Sequence, residues 1–309
     1  MSNWTTNNIP DMTGKMAIVT GANSGIGWDT AVALARKGAT VIMACRNPQK
    51  GRVALDQIKA VVPGADVELM QLDLASLDSI RRFSEEFHAR YNRLDLLINN
   101  AGIMMVPYGI TEDGFERQFG TNHLGHFALT GLLLDLIMAT PGARVVNVSS
   151  AGHRMGSMDF DDLMFEGGEG YSGRAAYGRS KLANILFTYE LQRRFEAAGV
   201  DAEALAAHPG GSNTNLGNHL MEGWYIKPFA PLLMRVVTQS SAMGALPTIR
   251  AAVDSNARGG EYYGPDGFME QRGYPVIVQS NDKSHNLADA RQLWDASETL
   301  TRVTYDALD

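Results

Sequence analysis

The sequence predicts an α/β fold: one doubly wound parallel sheet of about seven strands with helices on both faces. Three observations carry this expectation. Short β-rich runs alternate with longer segments of helical period along almost the whole chain. The strand candidates MAIVT, TVIMA, DLLIN and RVVNV are apolar nearly throughout, which suits strands covered on both faces. No Pro/Gly/Ser-rich linker divides the 309 residues, so residues 1–309 are read as one domain.

In chain order, strands are expected over residues 15–20, 40–44, 66–71, 94–99, 144–149 and 202–207, with a last strand near 261–263. Helices are expected over 24–37, 48–61, 76–91, 174–198 and 239–253, and 112–138 reads as mostly helical. Residues 1–14 form a polar N-terminal extension, and 286–309 a closing helix and tail. Two irregular stretches follow strands: the glycine-rich 151–173, and 208–238, a candidate lid carrying Trp224, Tyr225, Ile226 and Phe229. Both leave the carboxyl ends of strands, the edge where open α/β sheets bind ligands.

A net charge of −7 offers no basic face for nucleic acid. The single cysteine, Cys45, excludes an internal disulfide and reads as a small core residue. The N-terminus lacks the basic start and apolar stretch of a signal peptide. The longest apolar runs, 132–138 and 226–237, are too short to span a membrane or are interrupted by Lys227, Pro228, Pro231 and Arg235. The expectation is a cytoplasmic protein with no membrane span.

The first strand runs into Thr-Gly-Ala-Asn-Ser-Gly-Ile-Gly at residues 20–27, and a helix follows. Gly21 permits a tight turn, Gly25 leaves room for a diphosphate, and Gly27 lets helix and strand pack closely. The helix N-terminus then offers free N–H groups to phosphate oxygens. A glycine-rich surface turn is the plain alternative, but the place between first strand and first helix favours a nucleotide. The second strand ends Met43-Ala44-Cys45-Arg46-Asn47. No acid is present there to bond adenosine ribose hydroxyls, and the Arg46 guanidinium suits a 2′-phosphate. NADP(H) is therefore the expected cofactor.

Tyr177 and Lys181 are four residues apart at the start of a predicted helix, so they share a face. A phenol is too weakly acidic to act as a base near neutrality, and a neighbouring ammonium is expected to lower its pKa. Such pairs are common on ordinary helices. This one gains weight from Ser149 and Ser150 at the end of the strand RVVNV, where a hydroxyl can polarise a carbonyl; Ser150 is the preferred one.

These motifs resemble the short-chain dehydrogenase/reductase superfamily of the classical type, a single Rossmann-type domain. They run in the family's order: residues 20–27, Asp73-Leu74, Asn99-Asn100-Ala101-Gly102, Asn122, Ser150, Tyr177 with Lys181, and Pro209-Gly210 with Thr214. VIMACR, GTNHLGHF, AYGRSKLAN and HPG further resemble the retinol-dehydrogenase-like and protochlorophyllide-reductase-like branch. Ile98 stands where the protochlorophyllide reductases carry a cysteine. The resemblance implies a catalytic tetrad of Asn122, Ser150, Tyr177 and Lys181, with Asn122 holding a relay water. It implies cofactor contacts from Gly21, Asn23, Ser24, Gly25, Ile26, Gly27, Arg46, Asp73, Leu74, Asn99, Ala101, Gly102, Tyr177, Lys181, Pro209, Gly210 and Thr214. Plainer roles stand beside these: Asp73 as a helix N-cap, Asn122 as a helix-bend residue, Thr214 as a loop threonine.

The implied reaction moves a hydride between NADP(H) and an alcohol or carbonyl carbon of a small, apolar substrate. The segment 153–171, longer than the family's usual gap, would form part of the pocket rim. His123, His126, His153 and His208 lack metal-ligand spacing and read as structural or rim residues. Rival readings are a sugar-nucleotide epimerase or dehydratase, an NADPH-binding redox sensor with vestigial turnover, and a methyltransferase. The glycine spacing, the short C-terminal tail and the intact tetrad argue against them. The family often pairs the helices holding Asn122 and Tyr177 across a homodimer, while some of its branches are monomeric.

Overall fold

Strands that are apolar on both faces need cover on both sides, and alternating helices supply it. The computed structural model describes residues 3–211 and 239–309. Its strands are β1 (Met16–Thr20), β2 (Thr40–Cys45), β3 (Val67–Gln71), β4 (Leu96–Asn99), β5 (Ala143–Val148), β6 (Ala202–Ala207), β7 (Tyr262–Pro265) and β8 (Pro275–Ile277). They form one sheet in the order β3-β2-β1-β4-β5-β6-β7-β8. All neighbours pair in parallel except β7 and β8, which are antiparallel. The order reverses where β4 lies beside β1, and this switch point opens the crevice at the carboxyl edge.

The helices are α1 (Gly25–Ala35), α2 (Pro48–Val61), α3 (Leu77–Arg90), α4 (Arg117–Phe119), α5 (Gly125–Leu132), α6 (Leu134–Ala139), α7 (Gly173–Ala197), α8 (Ser241–Val253) and α9 (Leu287–Thr301). The two-residue period of the strands divides the core in two. On β1, Ile18 joins a cluster with Phe83 of α3, Phe127 of α5, Leu186 of α7 and Trp294 of α9. Its neighbours Ala17 and Val19 join Leu34 of α1, Leu55 of α2 and Ile249 of α8 on the other face.

Three details go beyond the expectations. The sheet has one strand more than expected, because β8 is a three-residue edge strand too short to show alternation. The segment read as mostly helical over 112–138 is helical from Arg117, where the Glu116 carboxylate accepts from the N–H groups of Gln118 and Phe119. It then widens into a π turn over Gly120–Leu124 and is interrupted at Leu133 before α6. The N-terminal extension is not merely appended: Ile9 and Met12 are buried against α1 and its surroundings, and Met12 N–H donates to Lys37 O at 2.8 Å.

The closing tail seals the first core. The Tyr305 hydroxyl donates to the Phe127 carbonyl at 2.7 Å. The Trp294 ring lies 4.6 Å from that of Tyr305 and 5.3 Å from that of Phe127, with the Arg194 guanidinium 4.1 Å above it. No helix among the described residues is long and apolar enough to cross a membrane. Trp294→Ala is expected to cost about 3–5 kcal/mol of stability by urea unfolding, because the surrounding aromatic rings cannot collapse into the space left. An unchanged midpoint would contradict this account of the tail.

Candidate active site

Between β1 and α1 the chain turns through residues 21–24. Gly21 and Gly25 adopt φ of +68° and +57°, a region that residues bearing a Cβ avoid. A Cβ on Gly27 would lie 2.6 Å from both Gly21 O and Asn100 Nδ2, so turn, helix and the β4 loop meet at backbone distance. Ser24 is the N-cap of α1, yet its side chain caps nothing. The first-turn N–H groups therefore face the sheet edge without a side-chain acceptor, at the positive end of the helix. Asn23, Ser24, Gly25 and Ile26 all retain solvent exposure there. Arg46, just past β2, is exposed and forms no ion pair among the described residues.

The loops after β3 and β4 complete the floor. Asp73 accepts from Ala75 N–H at 3.0 Å in a tight turn, but the cap of α3 is Ser76, not Asp73. Leu74 is buried, and the absence of a Cβ on Gly125 lets its carbonyl approach the helix. Asn99 is buried and donates to Thr130 Oγ1 and Asn147 Oδ1, so its side chain serves the sheet interior rather than the edge. The Thr20 hydroxyl accepts from the backbone N–H groups of Asn100 and Ala101, each at 2.9 Å. Sequence reasoning assigned no role to Thr20 or Asn100; a threonine and an asparagine at strand ends look like ordinary turn residues.

The proposed tetrad does converge. Ser150 ends the β5 connection and caps the 3-10 turn Ala151–Met155. Its hydroxyl lies beside the Tyr177 phenol, near enough to pull the phenol's pKa down. Gly152 makes this approach possible, since a Cβ there would lie 3.0 Å from the Tyr177 ring and 3.4 Å from Ser150 Oγ. Ser149 instead donates to Lys181 O at 2.7 Å, which leaves Ser150 as the available serine. The Lys181 ammonium is buried and donates to Val148 O at 2.9 Å. That is its one hydrogen-bond partner among the described residues, so two of its three N–H donors are free.

Asn122 lies in the π turn, fully buried. Its side chain is committed: Oδ1 accepts from Ile103 N–H at 2.8 Å, and Nδ2 donates to Ile103 O and Ser180 Oγ at 2.9 Å. The helix-bend role is thus met; both Nδ2 protons are used, and Oδ1 keeps one acceptor site. Gly102 fits between the groups, since a Cβ there would lie 3.1 Å from Asn122 Oδ1 and 3.5 Å from Lys181 Nζ.

Electrostatics departs from the sequence expectation in one respect. Burial raises the Tyr177 pKa above its ordinary value, and only the Ser150 hydrogen bond opposes it. The Lys181 Nζ sits 5.9 Å from the ring centre and turns toward Val148. Burial in turn pulls the Lys181 ammonium down to about 8. The buried Cys45 thiol is pushed up to about 12, in keeping with a core residue.

The segment 153–171 packs onto the start of α7. Arg179, inside the Tyr-x-x-x-Lys stretch, donates to Ser157 O and Asp162 O and lies over the Phe165 ring at 4.1 Å. The Tyr171 hydroxyl donates to Val106 O at 2.7 Å. Beyond β6, Pro209 and Gly210 sit at the same edge, held by Gln239 and by the loop around Gln271. Thr214 and the aromatic residues of 212–238 lie outside the described residues. Among the described residues no group of acidic, histidine or cysteine side chains could hold a metal ion.

The donor set suits a dinucleotide: among the described residues, uncapped helix N–H groups and the exposed Arg46 guanidinium stand ready for phosphates, and spare Lys181 donors for ribose hydroxyls.

The model of the short chain dehydrogenase family matches residues 15–161. Human retinol dehydrogenase 13 is 42% identical over 293 residues, covering 93% of this chain and 84% of its own. Human retinol dehydrogenase 14 is 42% identical over 304 residues, covering 94% and 87%. An uncharacterized protein from Mycobacterium paratuberculosis, solved by crystallography, is 41% identical with a TM-score of 0.82, covering 98% of this chain and 99% of its own. A short chain dehydrogenase from Shigella flexneri 2a complexed with NADP shares the fold at a TM-score of 0.63 and 22% identity, covering 82% and 97%. Sheet order, edge geometry and these likenesses agree: the chain belongs to the short-chain dehydrogenase/reductase family of oxidoreductases, in its retinol-dehydrogenase-like branch.

Proposed function

We propose that this oxidoreductase uses NADP(H) to interconvert an alcohol and a carbonyl on an apolar small molecule, with Tyr177 as the proton-transfer group. The observation that carries the reading is the Ser150 hydroxyl beside the Tyr177 phenol, near a buried ammonium with a single hydrogen-bond partner among the described residues. The retinol dehydrogenase relatives support an apolar alcohol or aldehyde as the substrate class. Arg46, exposed after β2 and without an ion pair among the described residues, supports NADP(H) over NAD(H), as does the NADP-bound Shigella relative.

NADPH, when bound, supplies the hydride that reaches the carbonyl carbon. The chain's own residues handle the oxygen and its proton. Ser150 Oγ–H donates to the substrate oxygen and holds it beside the phenol. The raised Tyr177 pKa keeps the phenol protonated near neutrality, so it is ready to give its proton to the developing alkoxide. The free N–H groups of Lys181 hold ribose hydroxyls, and its charge stabilises the tyrosinate that forms. With its pKa near 8, Lys181 can exchange a proton under mild conditions, through a water on the Asn122 side of the pocket. Alcohol oxidation is the reverse.

Tyr177→Phe is expected to lower NADPH-dependent reduction across an aldehyde and ketone panel by about 10²–10⁴-fold. NADPH affinity, followed by nicotinamide fluorescence, should be retained; a variant that still turns over at the original rate overturns the assignment. Arg46→Asp should raise KM for NADPH and improve NADH, whereas an unchanged ratio removes the 2′-phosphate role. Lys181 carries its charge below a pKa of about 8 and loses it above. Reductive kcat/KM is therefore expected to fall as pH rises through about 8, and a profile flat well beyond that point contradicts the ammonium role.

A further inference from the structure

His126 lies one helical turn after Asn122, is 2% exposed, and reaches two separate parts of the edge. Its Nδ1 is 3.0 Å from the Asn122 backbone carbonyl, and its Nε2 is 2.9 Å from Thr20 Oγ1. A carbonyl only accepts, so Nδ1 must carry the proton. Burial holds the ring neutral, with a pKa pulled down to about 4, which leaves Nε2 bare. The Thr20 hydroxyl must then give its one proton to Nε2 rather than to the more distant Ile98 carbonyl at 3.3 Å. With the Asn100 and Ala101 N–H groups already received, every bonding position of that oxygen is used.

We propose that His126 is a positioning residue that locks the Asn122 turn and the β4 loop to the end of β1, setting the cradle for the dinucleotide. The proposal rests on the NADP(H) reading above. The loop it holds carries Ala101, against which Gly21 packs at 3.0 Å as measured to its missing Cβ. The same loop carries Gly102, beside Asn122 and Lys181. Loss of the His126–Thr20 bond would free this loop at both the phosphate turn and the ammonium pocket. A phenylalanine fills the volume but can neither donate to Asn122 nor accept from Thr20.

The test uses the full chain without substrate and reads NADPH dissociation constants by fluorescence. His126→Asn keeps a donor for the Asn122 carbonyl and loses the reach to Thr20; Thr20→Val removes the hydroxyl. His126→Asn is expected to weaken NADPH about 3- to 10-fold, the worth of one hydrogen bond, and Thr20→Val at least as much, since it also removes the acceptor of the Asn100 and Ala101 N–H groups. Thr20→Ser, which keeps the hydroxyl, should retain affinity. The double variant should bind no more weakly than the worse single one, because both remove the same bond. Additive losses, or single variants of undiminished affinity, overturn the proposal. Should a variant fail to fold, isotope-labelled histidine NMR of the unliganded wild type decides: His126 must carry its proton on Nδ1, and a proton on Nε2 sinks the lock. If the wild type itself bound no NADPH, the function reading would fall, while the NMR result would still judge the bond.

Discussion

A buried ammonium with unspent donors is the constraint around which this edge is organised. Lys181 is 3% exposed, and removing a charge from water is expensive unless partners replace the solvent. Among the described residues there is one, the Val148 carbonyl. The depressed pKa registers the shortfall. Everything nearby keeps the charge in place without completing its shell. Ser149 ties the Lys181 backbone to the strand end, Gly102 leaves open space at Nζ, and Asn122 spends its amide on Ile103 and Ser180. Such an arrangement makes physical sense when a polar ligand with acceptor oxygens finishes the shell.

The sheet interior explains why the edge can be held so firmly. Apolar alternation divides the strands between two cores, but polar side chains near the carboxyl ends run across the sheet. Thr188 links to Asn147, Asn147 to Asn99, Asn99 to Thr130, and Thr130 to the His126 carbonyl. Each bond contributes only about 0.5–1.5 kcal/mol net, yet leaving any one unmade costs more than making it gains. The band thus favours a single arrangement of β4, β5, α5 and α7, and so of the groups they carry.

Much of this was legible before the structure. The two-sided apolar strands announced the parallel sheet, and the glycine turn, Ser150, Tyr177 and Lys181 were found in the order in which they converge. What was missed depends on long-range geometry. Nothing local marks β8, whose three residues exist as a strand only because β7 is beside them. Within the mostly helical 112–138, the start at the Glu116 cap and the π turn holding Asn122 are details that propensity does not encode. Ile9 and Met12 looked like members of a polar tail because their partners lie far along the chain. The raised Tyr177 pKa was not legible, because spacing along a helix says nothing about how deeply the phenol is buried.

The measurement that bears most directly on the buried ammonium is a crystal structure of this chain with NADP⁺. The account predicts a ribose hydroxyl of the nicotinamide half within hydrogen-bond distance of Lys181 Nζ, with the Tyr177 hydroxyl beside it. A dinucleotide seated elsewhere, with Lys181 still bonded to Val148 alone, would contradict it.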